Sequence, residues 1–249
     1  MPPYLLTPHS YACESDGYGV FLDLKRDRYT AVTPDSVHTL RAAIKGWGLD
    51  ANAGPERPMS DAIAADDRGL PATDDRLIRA LLKENLLTTD TARGKSATPP
   101  HVDEPTESLW EFPRPWPDLT TESLVKFTSA WIETTVILRA LPIRYVIARQ
   151  RSRNLRKQRE IAPFDIQRAR LLTATCFALQ PMYYSAKDAC LRNSLTLLRF
   201  LSRYEVYPTC VFGVKTHPSF LAHAWLQHGS VVFTDPIDSV RGFTPIMLV

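Results

Sequence analysis

Cysteine is scarce: the 249-residue chain has four (Cys13, Cys176, Cys190 and Cys210), with no Cys-x-x-Cys pair. Such spacing argues against a zinc site and against a dense disulfide framework. Glycine is outnumbered by proline, 10 to 20, which favours stiff connections. No Walker loop is present, so a nucleotide site would need another basis. A long apolar run is also missing. The most apolar stretch, Ala130 to Ala148, is broken by Glu133, Arg139, Pro142 and Arg144, and reads as buried helix rather than membrane span. Met1-Pro2-Pro3-Tyr4 lacks the basic and apolar regions of a secretory signal. A cytoplasmic protein is therefore expected, in a compartment that keeps a thiol reduced.

What is present is a soluble composition, 44% apolar and 23% charged, long enough for one large domain or two ordinary ones. The net charge of +3 conceals two halves of opposite sign. Residues 1–92 hold 10 Lys/Arg against 14 Asp/Glu, and residues 93–249 hold 20 against 13. That asymmetry predicts two modules rather than one uniformly basic nucleic-acid binder.

The pattern divides into three segments: a domain over 1–92, a Pro-rich linker over 93–118, and a second domain over 119–249. In the first, Gly19–Asp23 and Arg28–Val32 flank a turn at Lys25-Arg26-Asp27, predicting a hairpin. Thr33-Pro34-Asp35 opens a helix through Val37, Leu40, Arg41 and Ile44, closed by Gly46 and Gly48. A short helix is expected over Met59 to Ala65. A stronger one follows the cap Thr73-Asp74-Asp75, with Leu77, Ile78, Leu81 and Leu82 inward. Strands plus three helices give a winged-helix-like shape, able to hold peptide or DNA. The linker has prolines at 99, 100, 105, 113, 115 and 117, with Trp110, Phe112 and Trp116 available for packing.

In the last segment Asp118 is placed to cap a helix striped by Leu124, Phe127, Trp131, Thr135 and Leu138. Asp165 caps another, through Ile166, Ala169, Leu172, Cys176 and Leu179. Cys190 to Arg203 is a third, with Leu191, Leu195, Leu198 and Leu201 buried. Strands are expected over Val206–Val214, Phe220–Gln227 and Val231–Asp235. The basic run Arg149, Arg151, Arg153, Arg156, Lys157 and Arg159 has no interleaved aromatics, and reads as a solvated or protein-docking face.

The chemistry lies near the end. Cys190 opens a helix, where the macrodipole and unpaired N–H groups favour a thiolate. Asp188 is placed to cap that helix. His223 follows in the Ala-His-Ala-Trp strand, and Asp235 lies 12 residues further on. Thiol, base and orienting carboxylate are the groups that nucleophilic acyl chemistry requires. Strand alternation puts Leu221, His223, Trp225 and Gln227 on one face. For Asp235 to reach that face, the loop between the two strands should hold an odd number of residues, Gln227-His228-Gly229. His9, His38, His101, His217 and His228 have no such company, and Asp238 follows Pro236 as a rival carboxylate.

These residues resemble the B proteins of lasso peptide biosynthesis, in the form that fuses both functional parts. The resemblance over 119–249 rests on Asp188-Ala189-Cys190-Leu191, Leu198-Arg199-Phe200-Leu201, Val211-Phe212-Gly213-Val214-Lys215, Phe220-x-Ala222-His223-Ala224-Trp225, and Asp235. Residues 1–90 are similar to the RiPP recognition element, a small winged-helix domain like the PQQ peptide chaperone. The resemblance implies an α+β fold: a winged-helix-like recognition element joined by the linker to a papain/transglutaminase-like cysteine peptidase domain. It implies hydrolysis of the leader from a ribosomal precursor peptide, with Cys190 as nucleophile, His223 as general base and acid, and Asp235 orienting it.

By the same resemblance the leader would add as a strand to Arg28, Tyr29, Thr30, Ala31 and Val32. It would lie against the helix carrying Arg76, Arg79, Ala80 and Lys83. The partners implied are the precursor leader and an asparagine-synthetase-like lasso cyclase, with no nucleic acid and no membrane. No metal or cofactor is implied for this chain; any ATP requirement belongs to the cyclase. The same triad would serve a transglutaminase, deamidase or acyltransferase, and an inert core would leave a winged-helix peptide- or DNA-binding module.

Overall fold

Asp16-Gly17 is a two-residue turn with both φ angles positive, +49° and +80°, the geometry that joins twisted strands into a tight hairpin. It links β2 (Ser10–Ser15) to β3 (Tyr18–Asp23), and β3 continues antiparallel into β4 (Arg28–Val32). The computed structural model in which these strands appear describes residues 4–48, 72–110, 116–157, 164–184 and 189–249. Its contacts separate two units, Met1–His101 and Val102–Val249.

In the first unit the sheet order is β2-β3-β4, with β4 at an edge. The β3–β4 turn is closed by Asp23, whose Oδ1 accepts from the N–H groups of Lys25 and Arg26 at 2.8 and 3.3 Å. β2 is a strand beyond the two expected from the sequence. A 3₁₀ turn over Pro34–Ser36 leads into α1 (Val37–Ala43). α2 spans Ala72–Lys83, so Thr73, Asp74 and Asp75 fall inside its first turn rather than before it. Ile78 and Leu81 are buried, with Leu77 and Leu82 packed beside them, against Phe21, Leu40 and Trp47. β1 (Leu5–Leu6) pairs with β5 (Leu87–Thr88). The helix expected over Met59 to Ala65 lies outside the described residues.

The segment expected as a linker is paired at both ends. Lys95 exchanges backbone hydrogen bonds with Leu6 at 2.9 Å each way, and Ala97 N–H donates to Lys45 O at 2.8 Å. Further on, β6 (Glu107–Ser108) joins the sheet of the second unit. Proline removes a donor only at its own position, so the residues between prolines still pair. Trp110 packs on Phe177 with ring centroids 4.9 Å apart, whereas Trp116 is 92% exposed and does not dock. Phe112 lies outside the described residues.

The second unit continues with α3 (Thr121–Ala140), α4 (Ile143–Lys157), α5 (Ile166–Leu179) and α6 (Cys190–Ser202). β7 (Thr209–Lys215), β8 (Leu221–His228), β9 (Val231–Val232), α7 (Ile237–Arg241) and β10 (Thr244–Leu248) follow. The strands form one sheet, β10-β7-β8-β9-β6, antiparallel except for the β6–β9 pair. Asp165 caps α5, accepting from Gln167 and Arg168 N–H groups.

Asp118 is not the cap of α3. Thr120 takes that place in a reciprocal pair with Ser123, while Asp118 N–H donates to Thr175. The buried face of α3 is Ser123, Phe127, Ala130 and Thr134, and Leu124 is exposed. Small and hydroxyl-bearing residues sit there because α3 packs against α6, which is buried on all sides from Ser194 to Leu201. Arg199 is only 2% exposed and donates to Thr134 Oγ1 at 2.8 Å, beside Glu133. On α4, Arg149 and Arg151 are exposed, and Arg153 pairs with Glu133 at 2.6 Å. Among the described residues no helix is long and apolar enough to cross a membrane.

Gly213 pairs with His223 across β7 and β8, under the Trp225 ring. A Cβ there would stand 2.6 Å from the Trp225 ring and 3.0 Å from Phe243 Cβ. Gly213→Ala should therefore lower unfolding free energy by about 1–3 kcal/mol, read by urea denaturation. A midpoint equal to wild type would show that Trp225 does not hold this position.

Candidate active site

β8 is eight residues long and β9 only two, so β9 covers one end of its neighbour. The loop joining them is Gly229-Ser230, because Gln227 pairs with Val232 and His228 with Val231. This two-residue loop overturns the expected three-residue Gln227-His228-Gly229 loop. Continued as a ladder, its register would turn Asp235 away from His223. The ladder does not continue. Phe233 N–H still donates to Leu226 O at 2.9 Å, but Leu226 N–H is taken by the Thr234 side chain at 3.2 Å. The chain bends over 233–235, and Asp235 reaches the His223 ring after all: Nε2 to Oδ1 is 2.9 Å.

Where β9 stops, the N-terminal turn of α6 occupies the uncovered edge of β8. Ser194 Oγ donates to Ala224 O at 2.8 Å, and the Ala224 backbone N–H hydrogen-bonds the Cys190 sulfur. Ala189 precedes α6 and makes no side-chain cap bond, while the Leu191 N–H is directed to the sulfur. Asp188 lies outside the described residues. His223 completes the surroundings of the thiol by hydrogen-bonding it. Because Nε2 is engaged with Asp235, Nδ1 is the nitrogen left for sulfur.

This environment favours charge separation. The His223 hydrogen bond pulls the Cys190 thiol below its ordinary value of 9.0; burial opposes the shift, and the Ala224 and Leu191 backbones assist it. For His223, burial acts downward but is outweighed by hydrogen bonds to Asp235 and Cys190, which bring it up to about 9. Sulfur and imidazole thus titrate as a coupled pair. The other cysteines show the contrast: burial pushes Cys13 and Cys210 up to about 12 and Cys176 up as well.

Cys190, His223 and Asp235 line a cavity of about 560 Å³, together with Trp110, Phe177, Gln180, Asn193, Ser194 and Thr234. Ser108 ties the wall together, donating to Asp235 O at 2.7 Å and accepting from Trp110 N–H at 3.0 Å. Trp225 lies 17° from the plane of His223, with centroids 6.1 Å apart. Gln180 is 8% exposed, and its Nε2 finds no acceptor among the described residues. Neither Ser108 nor Gln180 was foreseen from the sequence. Ser108 sits in a proline-rich stretch, and Gln180 carries no signal beyond Pro181 after a helix.

Of the remaining candidates, Asp238 is exposed on α7, and His38, His101, His217 and His228 are exposed as well. His9 lies 3.7 Å from Asp23 in the first unit. Arg28, Tyr29, Thr30, Ala31 and Val32 form the edge strand β4, and Arg76, Arg79, Ala80 and Lys83 lie on the exposed face of α2. Arg26 links the start of β4 to the end of α2, donating to Glu84 O at 2.8 Å and to its carboxylate at 2.6 Å. These residues belong to the first unit, whereas the described lining of the cavity comes wholly from the second. Among the described residues no group of three or more His, Cys, Asp or Glu is gathered as a metal site.

Residues 134–248 match the transglutaminase-like superfamily. The second unit therefore carries a transglutaminase-like domain, a fold compatible with a papain-like cysteine peptidase or an acyltransferase, and the match contains Cys190, His223 and Asp235. No curated protein and no solved structure matches the chain.

The coupled titration has a measurable sign. Wild-type Cys190 should remain alkylable by iodoacetamide at pH 7, below the ordinary thiol range. Asp235→Asn removes what raises His223, so less imidazolium supports the thiolate. The alkylation profile should then move to higher pH, followed by mass spectrometry of the Cys190 peptide. Superimposable profiles would show that Asp235 does not tune the pair.

Proposed function

We propose that this chain is a leader peptidase of lasso peptide maturation. It would bind the leader of a ribosomal precursor through its first unit and hydrolyse the leader–core bond through Cys190, His223 and Asp235. The observation that carries the hydrolytic part is the hydrogen-bonded relay from sulfur to imidazole to carboxylate inside one cavity. The assignment to lasso precursors is supported by the resemblance of the motifs around Cys190, Phe220–Trp225 and Asp235. The recognition part is supported by β4 lying at a sheet edge, where a peptide can add main-chain hydrogen bonds. In this reading Arg28–Val32 and the α2 residues Arg76, Arg79, Ala80 and Lys83 contact the leader, in a winged-helix-like recognition element.

The Cys190 thiolate attacks the carbonyl of the last leader residue, forming a tetrahedral oxyanion. The Cys190 backbone N–H and the Gln180 side-chain amide donate to that oxygen; a half-turn about the last torsion of Gln180 exchanges its donor and acceptor ends. His223 passes its proton to the departing core amine, leaving a thioester on Cys190. Water, deprotonated by His223, then cleaves the thioester, releasing the leader carboxylate and restoring the thiol. Asp235 holds the imidazole in orientation throughout. The core, with its new N-terminus, passes to an asparagine-synthetase-like cyclase, the step to which any ATP requirement belongs.

Incubating the protein with a candidate precursor, followed by mass analysis, tests the reading. Leader and core should sum to the precursor plus one water; a mass change of an amine adduct or a deamidation would favour acyl transfer. Cys190→Ala should abolish cleavage yet retain leader binding by fluorescence anisotropy; retained cleavage would sink the peptidase. Gln180→Ala should lower kcat by about 10²–10³ with KM little changed. An unaltered kcat would remove Gln180 from the oxyanion site.

A further inference from the structure

Cys190 stands between two cavities, not beside one. On its second side lies a pocket of about 420 Å³ lined by Thr135, Leu138, Arg139, Ala189, Cys190, Leu191 and Arg192. Ala189 and Cys190 are the residues it shares with the cavity that holds His223 and Asp235. The two hollows also differ in character. The first has the aromatic walls of Trp110 and Phe177 and an Asp–His pair. The second counts two arginines, Arg139 and Arg192, among its described lining residues and no carboxylate.

Proton transfer fixes which half of a substrate enters each hollow. In the peptidase reading, on which this inference rests, His223 must reach the amine that departs. The amine half therefore occupies the cavity that His223 lines. The acyl half lies across the attacked carbonyl carbon, on the far side of the sulfur, in the arginine-lined pocket. We infer that this pocket is the acyl-side specificity site and takes a carboxylate-bearing side chain close to the scissile carbonyl.

The pocket is built for such a group. Arg192 lies in the first turn of α6, with its guanidinium 4.5 Å from the Tyr184 ring centroid, which restricts the side chain's freedom. Arg139 comes from the last turn of α3 and lines the same pocket. The N-terminal turn of α6 adds its own positive potential to the same space. A planar guanidinium can hold a carboxylate through two parallel N–H bonds, and Thr135, Leu138 and Leu191 give the side-chain stem a surface to cover. A lysine or arginine at the same substrate position would meet like charge and be rejected.

Peptidyl acyloxymethyl ketones test this on the full chain, because they present an acyl half alone to the nucleophile. Probes with Glu, Gln or Lys at the first, second or third residue from the ketone would be compared by the rate of Cys190 modification. At one of these positions Glu should react about tenfold faster than Gln, and Lys slower than both. Arg139→Gln should flatten the preference, and Arg139→Glu should turn it towards Lys. Equal Glu and Gln rates at all three positions would overturn the inference, as would a Glu preference unmoved in both variants. Iodoacetamide, which uses neither pocket, separates the two failures. If at pH 6 it modifies Cys190 no faster than in His223→Ala, the activated thiol itself is wrong, and the peptidase reading falls with it.

Discussion

The site depends on an uncovered stretch of strand edge. β8 runs on past the point where β9 leaves it, and a strand edge without a partner exposes donors and acceptors that must be satisfied. Here the partner is a helix terminus: Ser194 takes the Ala224 carbonyl, and the Cys190 sulfur takes the Ala224 N–H. One backbone unit thus fixes the thiol against the strand that carries the His223 imidazole. The bend that frees this edge also swings Asp235 to the other side of the imidazole. Had β9 been two residues longer, it would have covered the edge and turned the carboxylate away.

Local pattern reaches the three groups of the site but not the bend that joins them. Cys190 at a helix start, His223 in an alternating strand and Asp235 after a second strand were all legible, because each follows from local pattern. The rule connecting them was not. Register parity demanded an odd loop, and the loop is even; the polar Thr234 side chain substitutes for a carbonyl and ends the ladder early. A side chain standing in for backbone leaves no periodic trace. The buried face of α3 was misplaced for a related reason. Its packing against α6 uses Ser123, Ala130 and Thr134, which hydrophobic periodicity does not count, and a buried arginine needs the threonine.

The first unit shows the opposite error. The Asp16-Gly17 turn is a strong local hairpin signal, but β2 beside it is hard to read as a strand because Ser10, Glu14 and Ser15 dilute its apolar pattern. The inward residues of helix α2 follow from their spacing, while its start lies before the expected cap. The first unit presents a sheet edge and an exposed helix face, features that local pattern describes without naming a partner.

Ser108 and Trp110 lie near the start of the second unit, ahead of its first helix, yet they brace Asp235 and wall its cavity. This opening stretch of the second unit is thus also part of the site's frame. Trimming the chain to a tidy helical start at Thr120 would discard a brace and an aromatic wall while sparing all three reactive groups. Such a shortened protein would carry its chemistry in an unbuttressed mouth.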